Sequence, residues 1–209
     1  MSPSVAISTH PLVQEKVTRL RDERTPPPAF RQLVHEIALL VLYEATADLP
    51  LAPTEVRTPL APYTGAKLKE TVGLVPVLRA GIGMVEAALQ LIPEAQVWHI
   101  GLFRDERTLR PIEYYNKLPS AVTAQVCLVL DPMLATGGSA VATIDILKKW
   151  GATRVKYVGL IAAPEGVAAL SQAHPDVPIH VAHLDERLNE KGYIVPGLGD
   201  AGDRQFGTS

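Results

Sequence analysis

With one cysteine in 209 residues, nothing points to a disulfide-forming compartment, and Cys127 lies inside the apolar run 126–130, where it reads as a small core residue and not a nucleophile. Lysine- or arginine-rich runs are missing too. Together with a formal net charge of −2, this argues against a dedicated nucleic-acid or anionic-membrane surface, although single arginines can still bind small phosphates. No segment is apolar over a membrane-spanning length, and residues 1–8 carry neither a basic n-region nor an apolar h-region, so the expectation is a soluble cytoplasmic protein. His174, His180 and His183 lack a tight metal-ligand spacing such as H-E-x-x-H, and no zinc site is expected.

What is there suits one globular domain. The chain is 47% hydrophobic and 20% charged, enough for a single sizeable core. Strand-like apolar runs occur at 72–78, 97–103, 126–130, 155–161 and 179–184, with helix-patterned segments between them, among them 83–91 and 138–150. That alternation predicts an α/β fold with a mostly parallel sheet covered by helices. Lys148, Lys149 and Gly151 suit the end of the second helix. The first seventy residues read differently: helices at 12–22 and 29–49, with Thr25-Pro26-Pro27-Pro28 as a stiff connection, suggest an arm packed on the core or on another subunit.

Three segments carry chemistry. Residues 128–139, Leu-Val-Leu-Asp-Pro-Met-Leu-Ala-Thr-Gly-Gly-Ser, run a strand into one acid and then into a turn that opens a helix. The glycines let successive N–H groups converge on an anion, Thr136 and Ser139 add hydroxyl donors, and the helix N-terminus adds favourable potential. Asp131, at the strand end, is suited to ribose hydroxyls. A Walker P-loop is excluded because no lysine follows the glycines in the required spacing. Arg79 ends a second strand and precedes Ala80-Gly81-Ile82-Gly83, small residues that permit close backbone approach; its guanidinium suits bidentate contact with phosphate oxygens. Arg104 follows a third strand and opens a charged stretch long enough to be functional or mobile. Ligands in open parallel sheets sit beyond the carboxyl ends of the strands, so one crevice can receive Arg79, Arg104 and Asp131. Residues 192–204, Gly-Tyr-Ile-Val-Pro-Gly-Leu-Gly-Asp-Ala-Gly-Asp-Arg, read by composition as a surface loop whose glycines and proline specify a backbone path with exposed N–H and C=O groups.

The first segment resembles the phosphoribosyl pyrophosphate (PRPP) loop of the phosphoribosyltransferases, usually two acids, four residues and Thr-Gly-Gly-Thr or Ser. Pro132 stands where the second acid normally sits, leaving Asp131 alone to engage the ribose. Asp-Pro-Met-Leu-Ala-Thr-Gly-Gly-Ser and Pro-Gly-Leu-Gly-Asp-Ala-Gly-Asp together are similar to the uracil phosphoribosyltransferase version. Shorter matches, such as Asp105-Glu106, Lys117-Leu118-Pro119 and Ala162-Ala163-Pro164-Glu165-Gly166, extend the resemblance over nearly the whole chain.

The resemblance implies a single domain with an N-terminal helical arm (1–70), a PRPP-binding core (71–185) and a uracil-binding hood (186–209). PRPP would be held by Arg79, Arg104 and the loop Asp131, Pro132, Met133, Leu134, Ala135, Thr136, Gly137, Gly138 and Ser139, with Asp200 reaching toward it and, through PRPP or water, toward Mg²⁺. Uracil would meet Ile194, Gly199, Asp200 and Ala201, largely through the main chain. The residues implied as catalytic are Arg104, Asp131 and Asp200, and the segment after Arg104 would form a hairpin or flap. The implied partners are uracil and PRPP, with GTP as an allosteric activator and a homodimer or homotetramer as the assembly; no nucleic acid or membrane is expected. Two rivals stay open: a phosphoribosyltransferase for another base, and a pyrimidine regulator that keeps this fold but binds RNA.

Overall fold

The computed structural model describes residues 5–104 and 111–208; the side chains of residues 103, 104, 111 and 112 also fall outside the described part. In chain order the elements are β1 (Val5–Ile7), α1 (Pro11–Arg21), α2 (Pro27–Ala45), β2 (Leu51–Arg57), β3 (Pro62–Leu68), β4 (Val72–Leu78), α3 (Ile82–Leu91), β5 (Gln96–Val97), β6 (Ile100–Arg104), β7 (Pro111–Asn116), β8 (Val126–Leu130), β9 (Met133–Leu134), α4 (Gly138–Trp150), β10 (Val155–Ala162), α5 (Pro164–Ala173), β11 (Ile179–Leu184), β12 (Arg187–Leu188), β13 (Ile194–Val195) and α6 (Ala201–Phe206).

The main sheet runs β1-β11-β10-β8-β4-β6-β7, with β5 beside β4 and β9 beside β10. Every pairing in it is parallel except β6 with β7, which form an antiparallel hairpin. Both faces are covered, so the central strands are apolar at every position: β4, β8 and β10 are buried almost throughout. The period of two then sorts side chains between two cores. On β8, Val126, Leu128 and Leu130 face the core shared with α1, α2 and α3, while Cys127 and Val129 face the one shared with α4 and α5. Burial pushes the Cys127 thiol up to about 11, in keeping with a packing role.

The expected strands and helices of residues 71–184 appear with small boundary changes; the run 97–103 divides into β5 and β6. The N-terminal seventy residues depart further from expectation. Of the two expected placements, their helices take the one on the core: Leu20, Phe30, Val34, Ile37 and Val41 are fully or almost fully buried in the same core as Leu74 and Leu128. The segment also contains β1, which extends the main sheet beside β11, and the hairpin β2–β3, whose residues are nearly all exposed. The prolines are not a connection but the start of α2, with Pro26 as its N-cap and prolines in its first turn, where the missing N–H has no helical partner to lose. The helix stops at Ala45, whose carbonyl accepts from buried Lys156 Nζ at 2.7 Å. A cation at a helix C-terminus satisfies an orphan carbonyl and complements the helix dipole.

Helix α4 begins and ends on glycines. Gly137 (φ 81°) is its N-cap and Gly151 (φ 110°) its C-cap, the latter donating to the carbonyls of Leu147 and Lys148. Both conformations are in the left-handed region that glycine adopts without a Cβ clash. The C-terminal segment, read by composition as a surface loop, is instead a short β12–β13 ribbon, a cis Val195–Pro196 peptide, and α6.

Candidate active site

The carboxyl ends of the parallel strands hold three neighbouring cavities. The first, about 270 Å³, is lined by Arg79, Ala80, Asp131, Met133, Ser139 and the start of α6 at Asp200, Ala201 and Gly202, together with Val77, Leu78 and Leu102. The second, about 260 Å³, is lined by Met133, Ala135, Lys191, Gly192, Tyr193, Ile194, Gly199 and Asp200. The third, about 80 Å³, is enclosed by the β8–α4 turn from Asp131 to Ala140, excepting Pro132. Met133 lines all three, and Asp200 lines the two larger ones.

The smallest cavity has the form expected for an oxyanion cradle. Helix α4 starts on Gly137, which has no side chain to cap it, and the first-turn amides of a helix have no intrahelical acceptor, which suits them to an anion. The turn is tied down on its outer side: a Cβ at Gly166 of α5 would lie 2.4 Å from the Ala135 carbonyl oxygen, and one at Gly137 would meet Gly166 O at 3.0 Å. Pro132 is buried, and its carbonyl accepts from the amides of Leu160 and Ile161, each at 3.0 Å. The residue in place of the usual second acid therefore anchors the loop to β10 and does not line the cavities.

Asp131 is half-buried at the end of β8. Its amide donates to Val158 O at 3.2 Å, and its carbonyl accepts from the hydroxyl of fully buried Tyr157 at 2.9 Å. The only carboxylate contact described is a 3.4 Å hydrogen bond from the Met133 amide. Loss of hydration, slightly offset by that bond, pushes the Asp131 carboxyl up to about 7.

Arg79 follows a cis Leu78–Arg79 peptide and projects over the first cavity, 56% exposed. It pairs with Asp203 of α6 at 3.0 Å. Gly81, two residues on, has no room for a side chain, because a Cβ would lie 2.3 Å from Leu130 O and 2.7 Å from Val77 N. Asp200 caps α6, accepting from the Asp203 amide at 2.9 Å. The backbone of Arg104 ends β6; its side chain, and the whole of 105–110, lie outside the described residues, so the flap expected there is seen only as its β6–β7 base.

Thus Arg79, Asp131, Ser139, Asp200 and Ala201 meet at the first cavity, Ile194, Gly199 and Asp200 at the second, and the remaining loop residues, Pro132 excepted, at the third. Ala201 falls on the first cavity and not on that of Ile194 and Gly199. Lys191, Gly202 and the Asp203 partner of Arg79 were missed, although Gly202 and Asp203 belong to the same glycine-rich segment and Lys191 adjoins it. Among the described residues no three His, Cys, Asp or Glu side chains cluster to hold a metal, and no helix is long and apolar enough to cross a membrane.

Comparison with known proteins agrees with this geometry. A family model described as "Uracil phosphoribosyltransferase" matches residues 7–208. A protein of that name from Roseiflexus sp. (strain RS-1) is 65% identical over 204 residues, covering 98% of each chain, and one from Halalkalibacterium halodurans is 58% identical over 205 residues with the same coverage. Among solved structures, the AQ2163 protein from Aquifex aeolicus superposes with a TM-score of 0.93 at 40% identity, covering 98% of this chain and 99% of that one. An adenine phosphoribosyltransferase from Thermoanaerobacter pseudethanolicus, at 11% identity and TM-score 0.56, shares the fold alone. With the match running nearly from end to end and both diagnostic segments lining adjoining cavities, this chain belongs to the uracil phosphoribosyltransferase family.

Proposed function

We propose that the protein transfers the 5-phosphoribosyl group of PRPP to N1 of uracil, giving UMP and diphosphate. The observation that carries this is the adjacency of a cavity formed by the glycine-rich β8–α4 turn, a cavity bearing Arg79, and a cavity lined by Ile194 and Gly199 of the C-terminal segment, with Met133 common to all three. In this reading the 5′-phosphate sits in the 136–139 turn, ribose hydroxyls donate to Asp131, and the diphosphate lies against Arg79, with Arg104 as the second arginine that the family resemblance implies. Uracil presents an acceptor, donor, acceptor edge, and backbone groups around Ile194 and Gly199 at the second cavity can answer it without charged side chains. Cytosine fails at two of those positions and leaves buried groups unpaired, which discriminates strongly.

The reaction is a displacement at C1 of the ribose. Uracil N1 forms the new glycosidic bond, the C1–O bond to diphosphate breaks with its electron pair leaving on the diphosphate, and the N1 proton passes to water or to a diphosphate oxygen. The protein contributes by holding the reactants in line and by placing guanidinium charge where the leaving group develops its own. Among the described residues, Asp131 and Asp200 are the carboxylates lining the first cavity, and no three acids or histidines cluster to cage an ion. They fit a Mg²⁺ that is carried mainly by substrate oxygens and water. Such an ion would supply further charge neutralisation on the diphosphate.

The test is UMP formation from uracil and PRPP with Mg²⁺, beside cytosine and hypoxanthine, and again with EDTA. Product from uracil alone, lost on chelation, is expected. Preferential use of another base would move the reading to a different phosphoribosyltransferase, and salt-dependent RNA binding without UMP synthesis would favour the regulator. Activation by GTP is part of the same proposal, and a rate unchanged by GTP at subsaturating PRPP would remove it. A homodimer or homotetramer is supported by the β2–β3 hairpin, which holds Leu51, Val56, Leu60 and Tyr63 in solvent, Leu60 at 97% exposure. Light scattering should give a multiple of 22.5 kDa.

A further inference from the structure

Helix α1 lines none of the three cavities, yet its last residue grips the turn that joins two residues lining the second one, Ile194 and Gly199. Arg21 Nη1 donates to Gly197 O at 2.7 Å and to Asp185 Oδ2 at 2.8 Å, and Nη2 pairs with Asp185 Oδ1. The same Asp185 Oδ2 accepts from the Gly197 amide at 2.8 Å. One ion pair therefore holds both the N–H and the C=O of a single residue, midway between Ile194 and Gly199. Gly197 has φ 65°, and a Cβ there would lie 2.1 Å from Ile194 O, so the turn is also closed on itself. The next carbonyl, Leu198 O, accepts from Arg204 Nη1 at 2.9 Å, and that guanidinium is in turn fastened to Leu20 O and Asp22 O at the end of α1.

The Asp185 side chain is fully buried and that of Arg21 is 20% exposed. A desolvated pair of this kind is a poor source of stability, since apolar residues of similar volume often serve as well or better. What it does supply is a fixed direction: the guanidinium and carboxylate restrain the two peptides that flank Gly197, one through its N–H and the other through its C=O. Base reading by main-chain groups needs that rigidity, because a backbone turn, unlike a side chain, has no rotamer to lock it.

We propose that the Arg21–Asp185 pair is a positioning element for base selection, setting the 194–199 backbone from α1 without touching either substrate. The inference rests on the reading of the second cavity as the base site. Arg21→Ala should raise KM for uracil about tenfold or more and narrow the preference for uracil over cytosine, while KM for PRPP stays within about twofold. Arg21→Lys, which keeps the charge but not the fork, should fall between. Added guanidinium ion at millimolar concentration should restore part of the uracil KM of Arg21→Ala, which no general loss of folding would do. Hydrogen exchange should accelerate over 194–200 and stay unchanged in β8.

Uracil KM and base preference equal to the parent protein in both variants would overturn the proposal. So would parallel losses for both substrates without guanidinium rescue. If Arg21→Ala does not fold, Arg21→Lys alone decides, by a selective uracil defect or its absence. Failure of the parent protein to make UMP would instead remove the functional reading; the exchange contrast over 194–200 would still show whether the pair fixes the turn.

Discussion

Arg79, in the turn after β4, and Asp203, on α6, form an ion pair at 3.0 Å across the mouth of the first cavity. Asp203 also accepts from the Thr208 hydroxyl at 2.6 Å, and these two contacts, Thr208 foremost, hold its carboxyl below the usual carboxylate range. Both side chains are substantially exposed, so the pair contributes little to stability and exchanges at small cost. Diphosphate can therefore take Arg79 from Asp203. Arg79→Ala should raise KM for PRPP about tenfold or more, whereas Asp203→Asn, which releases the guanidinium, should leave it unchanged or lower. Steady-state kinetics decides; an Asp203→Asn defect as large as that of Arg79→Ala would give Asp203 a direct role in binding.

The position of the Asp131 carboxyl near 7 makes activity and stability respond to pH in opposite senses. Only the charged form is a full acceptor for ribose hydroxyls, so kcat/KM for PRPP should rise from pH 6 to 8 with a midpoint near 7. Asp131→Asn should be slower at every pH and lack that inflection. For folding, the proton is bound more tightly in the native state than in the unfolded chain. The stability contributed by the protonated group is complete below about 4, the unfolded value, and is lost as pH rises through about 7. Urea titrations at pH 5 and 8 should show a smaller pH dependence in Asp131→Asn than in the parent; equal slopes would place the shift elsewhere.

Gly81→Ala tests how tightly the arginine turn is packed against β8. Its methyl group would meet Leu130 O at 2.3 Å and Val77 N at 2.7 Å, backbone atoms that cannot swing aside. Overpacking of this kind costs about 1–3 kcal/mol, read as a lower urea midpoint, with Arg79 displaced and PRPP use impaired. A variant as stable and active as the parent would show that the turn yields.

Leu128→Ala, in the middle of β8 and fully buried, should cost about 2–5 kcal/mol without a specific effect on either substrate. Chemical denaturation measures the first and KM values the second.

Local patterns made much of the molecule legible in advance. Strands β4, β8 and β11 lie where the apolar runs 72–78, 126–130 and 179–184 placed them, because a parallel sheet covered on both faces writes itself as uninterrupted hydrophobic runs. Helix α4 matches 138–150 because its glycines and terminal lysines are read within a few residues. Within residues 1–70 the helices are legible but the strands are not, for a related reason: nothing local marks Val5–Ile7 as a strand, since its partner Ile179–Val181 lies at the far end of the chain. The tri-proline stretch resembles a linker and a helix start equally, and only the buried face of α2 distinguishes them.

The α/β layering, the glycine-rich turn at the end of β8, Arg79 and Asp131 at strand ends, and the family all depend on residue type over short spans, and short spans of sequence suffice to place them. Tertiary structure alone decided which groups meet. Arg21 reaches Asp185 across 164 residues and Arg79 reaches Asp203 across 124, separations over which no spacing rule operates. It also decided the protonation of Asp131, because a carboxyl's pKa follows from the hydration it has lost and the charges beside it, and both are properties of the packed site.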